Sequence, residues 1–141
     1  MKGSMIRERN ILFFSHDNDG LSFIAEAIAK QLLPPKTRVF RAPLNEGTID
    51  PKAVQVLKEV GIKVPQEASG VDASDDIDLI VMLGKRGGTR PRIAPRARVT
   101  TWEIPELSRG ANADLEAFRR ARDAINNMVG GLFLDHWRNL A

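Results

Sequence analysis

No cysteine occurs anywhere along the 141 residues. That absence excludes disulfides, thiolate metal sites and thiol redox chemistry. Long hydrophobic runs are missing too, since no stretch approaches the roughly 18 apolar residues that span a bilayer. No signal peptide precedes the first apolar run, so a cytoplasmic protein without a membrane partner is expected. Internal repeats and low-complexity segments are also absent. What is present is an ordinary globular composition, 43% hydrophobic and 28% charged, at a length that fits one domain able to bury a core without disulfide or metal. Net charge is only +3, yet the basic residues are unevenly spread.

The opening "MKGSM" holds a second methionine, and residues 1–10 read as an N-terminal leader ahead of a single domain over 11–141. "ILFF" (11–14) is a continuous apolar run bounded by Asn10 and Ser15, the pattern of a central strand covered on both faces. Over 21–33 the residues Leu21, Ile24, Ala25, Ile28 and Leu32 follow helical spacing, and Pro34-Pro35 forbids continuation, which predicts the first helix. "TRVFRA" (37–42) predicts a second strand. Asp50 then supplies an N-cap with Pro51 at the first helical position, and Ala53, Val54, Val56, Leu57 and Val60 continue to a stop at Gly61. "DLIVML" (78–83) and "ARVTTWEI" (97–104) predict two further strands. Asn112 or Asp114 caps a final long helix with Leu115, Phe118, Ala121, Ile125 and Val129 on one face, and Gly130-Gly131 is expected to break it before Phe133 and Trp137. His136 and Trp137 read as a helix packing on the domain or on a second copy. The alternation of strands and helices predicts an α/β doubly wound parallel sheet with helices on both faces, in which ligands bind beyond the carboxyl ends of the strands.

The loop "SHDNDG" lies at such an end, where the backbone amides of a helix start could hold an anion. Asp17 and Asp19 stand where that anion would sit. Ser15, Asp17, Asp19, Gly20 and Glu26 also fall on positions 1, 3, 5, 6 and 12 of a calcium-binding EF-hand loop (15–26), although position 1 should be aspartate and the loop should follow a helix. A nucleophile elbow at Ser15 would need glycines where Phe13 and Asp17 stand, and is discarded. Further on, "GKRGGTRPRIAPRAR" (84–98) holds Lys85, Arg86, Arg90, Arg92, Arg96 and Arg98 without one acidic residue. Such a segment suits an acidic protein or another anionic partner. Its plain alternative is a solvated loop pinned by Asp72, Asp75, Asp76 and Asp78. Nucleic acid is disfavoured because no aromatic residue is nearby to stack bases.

"ILFF", "SHDNDGLS" and "FIAEAI", followed in order by "GTIDPKAVQVLKEVGI", "DLIVMLG" and "WEIPEL", resemble the low-molecular-weight protein tyrosine phosphatases and the related thioredoxin-coupled arsenate reductases, over about residues 11–133. That resemblance implies a small sheet of four parallel strands in the order 2-1-3-4. It puts Ser15 in the place of the family's nucleophilic cysteine and Leu21 in the place of its phosphate-gripping arginine. Asn18 and Ser22 match residues that order the loop, Gly84 falls near the second cysteine of the reductases, and Glu106 replaces the aspartate general acid.

The family's chemistry does not carry over with the scaffold. It needs a thiolate at the helix amino terminus and a bidentate guanidinium on the transferring phosphoryl group. A serine hydroxyl is a poor nucleophile without an adjacent base, and His16, the next residue on extended backbone, points the opposite way. Leu21 offers no side-chain hydrogen bond. Exchange of cysteine for serine alone would account for Ser15 but not for Leu21, Asp17 and Asp19. The expectation is therefore a non-catalytic relative, a pseudophosphatase, that binds or regulates through Ser15, His16, Asp17, Asn18, Asp19, Gly20, Leu21 and Ser22 and through the basic segment. An Asp17 or Asp19 carboxylate is expected to accept the loop's amide hydrogen bonds in place of phosphate. No cofactor or metal is expected, and the chain is read as a monomer or homodimer. A weak hydrolase using Ser15 and Glu106 is the alternative, and the calcium loop a lesser one.

Overall fold

The computed structural model describes residues 9–15, 20–42, 50–64, 76–84, 97–104 and 114–140, with Arg9 and 133–140 described for their backbone alone. Four strands, β1 (Arg9–Ser15), β2 (Thr37–Ala42), β3 (Leu79–Leu83) and β4 (Arg98–Trp102), form one parallel sheet in the order β2-β1-β3-β4. Three helices, α1 (Leu21–Leu32), α2 (Pro51–Glu59) and α3 (Leu115–Leu140), complete the described elements. Among the described residues no helix is long and apolar enough to cross a membrane.

The two faces of the sheet separate by the alternation of side chains along each strand. Ile11, Phe13, Val39, Val81 and Leu83 join the buried residues of α1, α2 and α3 in the larger core cluster. Leu12, Phe40, Ala42, Ile80 and Met82, with Ile77 and Ala97, make a second cluster on the opposite face. All three described helices thus pack on the first face, and no described helix contributes to the second. α1 lies innermost: each residue from Leu21 to Ala29 is buried, Ser22 and Glu26 included. Leu32, expected on the apolar stripe, is 40% exposed, and Leu33 takes the buried position beyond the last turn.

The helix ends follow local chemistry. The Leu33 N–H closes α1 on the carbonyl of Ala29 at 2.9 Å, and the following prolines allow no further turn. Asp50 caps α2, its Oδ1 accepting from the Lys52 N–H at 2.9 Å, with Pro51 at the first helical position. At the other end of α2 the Gly61 N–H reaches the Lys58 carbonyl and the Ile62 N–H the Leu57 carbonyl, with Gly61 at φ 76°. This is a Schellman closure, which requires a left-handed residue. Val60 is left 51% exposed. Asp114 rather than Asn112 caps α3, through the Ala117 N–H at 2.8 Å; Asn112 itself lies outside the described residues.

The expected break at Gly130-Gly131 does not occur, and α3 runs unbroken to Leu140. Glycine weakens a helix by about 1 kcal/mol relative to alanine but does not forbid it. The apolar face continues across the pair, with Ile125 and Val129 fully buried before it and Leu132 packed on the core after it. His136 and Trp137 fall within α3, but their side chains lie outside the described residues.

Candidate functional site

Because the strands are parallel, all four carboxyl ends lie on one side of the domain. Register places Ser15, Leu83 and Trp102 in one row there, with Ser15 paired to Leu83 and Leu83 to Trp102. Gly84 extends the row, its N–H donating to the Trp102 carbonyl at 3.1 Å. The Trp102 ring meets Phe13 at 5.8 Å between centroids, tilted 55°. Ser15 is 2% exposed at the close of the central strand.

On the far side of the loop, Gly20 occupies the N-cap of α1 in the left-handed region, φ 89° and ψ −5°, with no side-chain cap hydrogen bond. Its carbonyl accepts the first helical bond from Ile24 at 3.0 Å. A Cβ there would lie 3.4 Å from Ala53 Cβ and 3.5 Å from Phe118 Cε1, so α2 and α3 both close on this turn. Leu21 follows at 2% exposure and belongs to the main core. Any part Leu21 has in the expected ligand-binding loop is thereby confined to its backbone. Ser22, on the first turn of α1, is buried as well. His16, Asp17, Asn18 and Asp19 lie outside the described residues.

Glu26 is fully buried on α1. Its Oε1 lies 2.8 Å from Nε of Arg41 on β2, and its Oε2 lies 2.9 Å from Nζ of Lys30. The Arg41 guanidinium also sits 5.2 Å from the centre of the Phe23 ring. The calcium reading needs this carboxylate as a bidentate ligand and a helix ahead of the loop. The carboxylate is instead held between two cations, and β1 leads into the loop. Among the described residues no group of three or more histidine and acidic side chains could hold a metal ion.

Of the basic residues in that segment, Arg98 alone is described. It opens β4, and its N–H donates to the Asp78 carbonyl at 3.1 Å, at the amino end of the sheet and therefore opposite to Ser15. Asp78 in turn accepts the Asn10 N–H on Oδ2 at 2.8 Å, and the Asp76 carbonyl accepts Asn10 Nδ2 at 2.7 Å. Two members of the acidic run thus tie down the start of β1. Lys85, Arg86, Arg90, Arg92, Arg96, Asp72, Asp75 and Glu106 lie outside the described residues. Arg41 is not singled out as a site residue from sequence, and its one signal there is a charge between the apolar Phe40 and Ala42.

Residues 10–140 match the family described as low molecular weight phosphotyrosine protein phosphatase. An arsenate reductase of Bacillus subtilis is 32% identical over 126 residues, covering 84% of this chain and 91% of the reductase. Arsenate reductase 1 of Bacillus cereus is 29% identical over 129 residues, covering 89% and 94%. Among solved structures, an arsenate reductase in the oxidized state superposes with a TM-score of 0.75 at 25% identity, covering 91% of this chain and 98% of the other. An arsenate reductase in the phosphate binding state gives 0.74 at 25% identity, covering 90% and 98%. With its sheet order and these relatives in agreement, the chain belongs to the low-molecular-weight phosphotyrosine protein phosphatase family.

Proposed function

We propose that this protein is a non-catalytic member of its family, a pseudophosphatase whose loop between β1 and α1 keeps the scaffold of an anion site and serves a binding or regulatory role. One observation carries the reading. Leu21, which the family resemblance puts in the place of the phosphate-gripping arginine, is 2% exposed and packed in the core. No rotation of that side chain supplies a hydrogen-bond donor. Ser15 adds a hydroxyl in the place of the thiolate, in a chain with no cysteine to substitute for it. Loss of a single transition-state donor typically costs roughly 100- to 1,000-fold in rate, and here both the nucleophile and the principal electrophile are replaced.

In this reading Asp17 or Asp19 turns a carboxylate onto the amides that open α1, where the helix dipole and charge-assisted hydrogen bonds each contribute on the order of 1 kcal/mol. The loop is then ordered yet closed to dianions. Lys85, Arg86, Arg90, Arg92 and Arg96 supply the surface for an acidic partner.

Turnover of an aryl phosphate, and arsenate reduction coupled to thioredoxin, test the proposal directly. Neither is expected above background. Activity that disappears in Ser15→Ala with folding intact overturns the proposal in favour of a hydrolase. Inorganic phosphate at millimolar concentration is expected to leave the melting temperature unchanged, and the Asp17→Ala, Asp19→Ala double variant to gain stabilisation by phosphate. For the basic surface, Arg90, Arg92 and Arg96 replaced together by glutamate are expected to leave melting unchanged and to abolish capture on an immobilised polyglutamate resin. Equal capture of both forms returns the segment to a solvated loop.

A further inference from the structure

Among the described residues nothing pairs with the outer edge of β4, which has the geometry of a self-pairing strand. In a parallel pair, every second residue turns both of its backbone groups toward the neighbour. The Arg98 N–H donates to the Asp78 carbonyl and the Trp102 carbonyl accepts from Gly84, so Arg98, Thr100 and Trp102 face β3. Val99 and Thr101 therefore direct their N–H and C=O groups outward from the edge. Both side chains are exposed, Val99 at 38%, and among the described residues no hydrogen bond uses these four groups.

Natural edges are usually protected by proline, a bulge or a run of charge. Between residues 98 and 102 none of these is present beyond Arg98 itself, and the outward positions are the β-branched Val99 and Thr101. The opposite edge differs. On β2, Val39, Phe40 and Ala42 are buried, and Arg38 lies over the Phe40 ring at 5.1 Å.

We propose that β4 pairs antiparallel with β4 of a second copy of this chain, joining two sheets of four strands into one of eight. The outward groups determine the register. Val99 lies opposite Thr101 of the second copy and exchanges both hydrogen bonds with it, Thr101 does the same with the other Val99, and the two Thr100 residues meet at the two-fold axis. This register uses all five residues of the strand and is isologous, as a closed dimer requires. It also separates like charge. Arg98 stands opposite Trp102 of the second copy, where the ring can receive the guanidinium. The two Arg98 side chains are then about 13 Å apart along the strands, beyond the screening length of physiological salt. Shifting the register by two residues toward Arg98 would bring them to about half that distance. An unrelated extended peptide would satisfy the same backbone groups, but a second copy also sets an Arg98 against a Trp102 at both ends of the pair. The dimer is independent of the proposed loss of catalysis.

Sedimentation velocity of the full chain over a wide concentration range tests it. The wild type is expected to show a monomer–dimer equilibrium, the mass rising from 15.6 kDa toward twice that value. In Thr101→Pro the lost N–H is the outward one, so no bond to β3 is removed and the fold is kept. Its dimer dissociation constant is expected to rise roughly tenfold or more, from two main-chain bonds lost per dimer. Thr101→Val keeps the backbone groups and is expected to dimerise as the wild type does. Val99→Lys, which leaves the backbone untouched, is expected to dissociate the dimer and to melt with the wild type at concentrations where the wild type is monomeric, and amide exchange at Val99 and Thr101 of the wild type is expected to slow as concentration rises. A wild type that stays monomeric throughout overturns the proposal and leaves the edge to another occupant. A folded Thr101→Pro or Val99→Lys that dimerises as tightly as the wild type also overturns it, placing the interface elsewhere.

Discussion

Arg41 on β2 and Glu26 on α1 form an ion pair at 2.8 Å in which the carboxylate is completely buried and the arginine side chain only 11% exposed. Lys30 completes the set from the surface, 37% exposed. Neither carboxylate oxygen receives an aligned N–H, so the contact is chiefly Coulombic. Removing one partner of a buried pair leaves a charge without compensation, which costs about 3–5 kcal/mol. Arg41→Met is expected to lower stability to urea by that order, and the Glu26→Gln, Arg41→Met double variant by less than the sum of its singles. Lys30→Met, at the exposed partner, is expected to cost about 1 kcal/mol or less. Additive singles in the urea cycle would show that the pair is not coupled.

Leu21 is a packing residue at the head of α1. Leu21→Ala is expected to cost about 2–5 kcal/mol, as large-to-small changes in a core do. Leu21→Arg is expected to lower the melting temperature at least as far, because it buries a cation where the described structure offers leucine packing. Unchanged melting of Leu21→Arg would mean that a side chain here can leave the core.

Gly20 holds α1 at its start through a left-handed backbone. The space for a methyl group is ordinary, 3.4 Å to Ala53 Cβ, so the cost of Gly20→Ala comes from φ and not from a clash. A loss of about 1–2 kcal/mol is expected, with Gly20→Asn recovering part of it because asparagine tolerates this region. Equal denaturation midpoints for Ala and Asn would point to packing instead.

Glu59, at the end of α2, is joined to α3 through Arg119 at 2.6 Å and Arg122 at 3.0 Å. The hydrogen bond from Arg119 foremost, with help from Arg122, holds the Glu59 carboxyl below its ordinary value of 4.5. Between the folded and unfolded values the unfolded chain binds more protons, so stability rises with pH there. The contribution is complete above the ordinary value and is lost as pH falls through the lowered one. Urea midpoints of the wild type and Glu59→Gln should therefore converge as pH falls below the ordinary value of 4.5. A difference that does not change with pH would mean that solvent, not Arg119, sets the ionisation of Glu59.

Local chemistry made most of the elements legible. The apolar run 11–14, the helical spacing after Leu21 and the Asp50-Pro51 cap each act over a few residues, so their elements appear within a residue or two of the expected bounds. Strand order came from the family resemblance, and the structure bears it out. Gly130-Gly131 was misread for the converse reason: a glycine pair signals a break locally, while burial of Val129 and packing of Leu132 hold the helix through it.

Sequence alone determined that thiol chemistry is missing, since the lack of cysteine needs no coordinates to be read. Tertiary structure decided where the remaining groups act. Glu26 and Arg41 are fifteen residues apart on different elements, and only packing of α1 against β2 makes them partners. Arg98 shares a basic segment with residues that follow β3, yet parallel pairing puts it at the end of the sheet away from Ser15. Which residues of β4 face outward depends on register with β3, a relation between distant segments that no local pattern encodes.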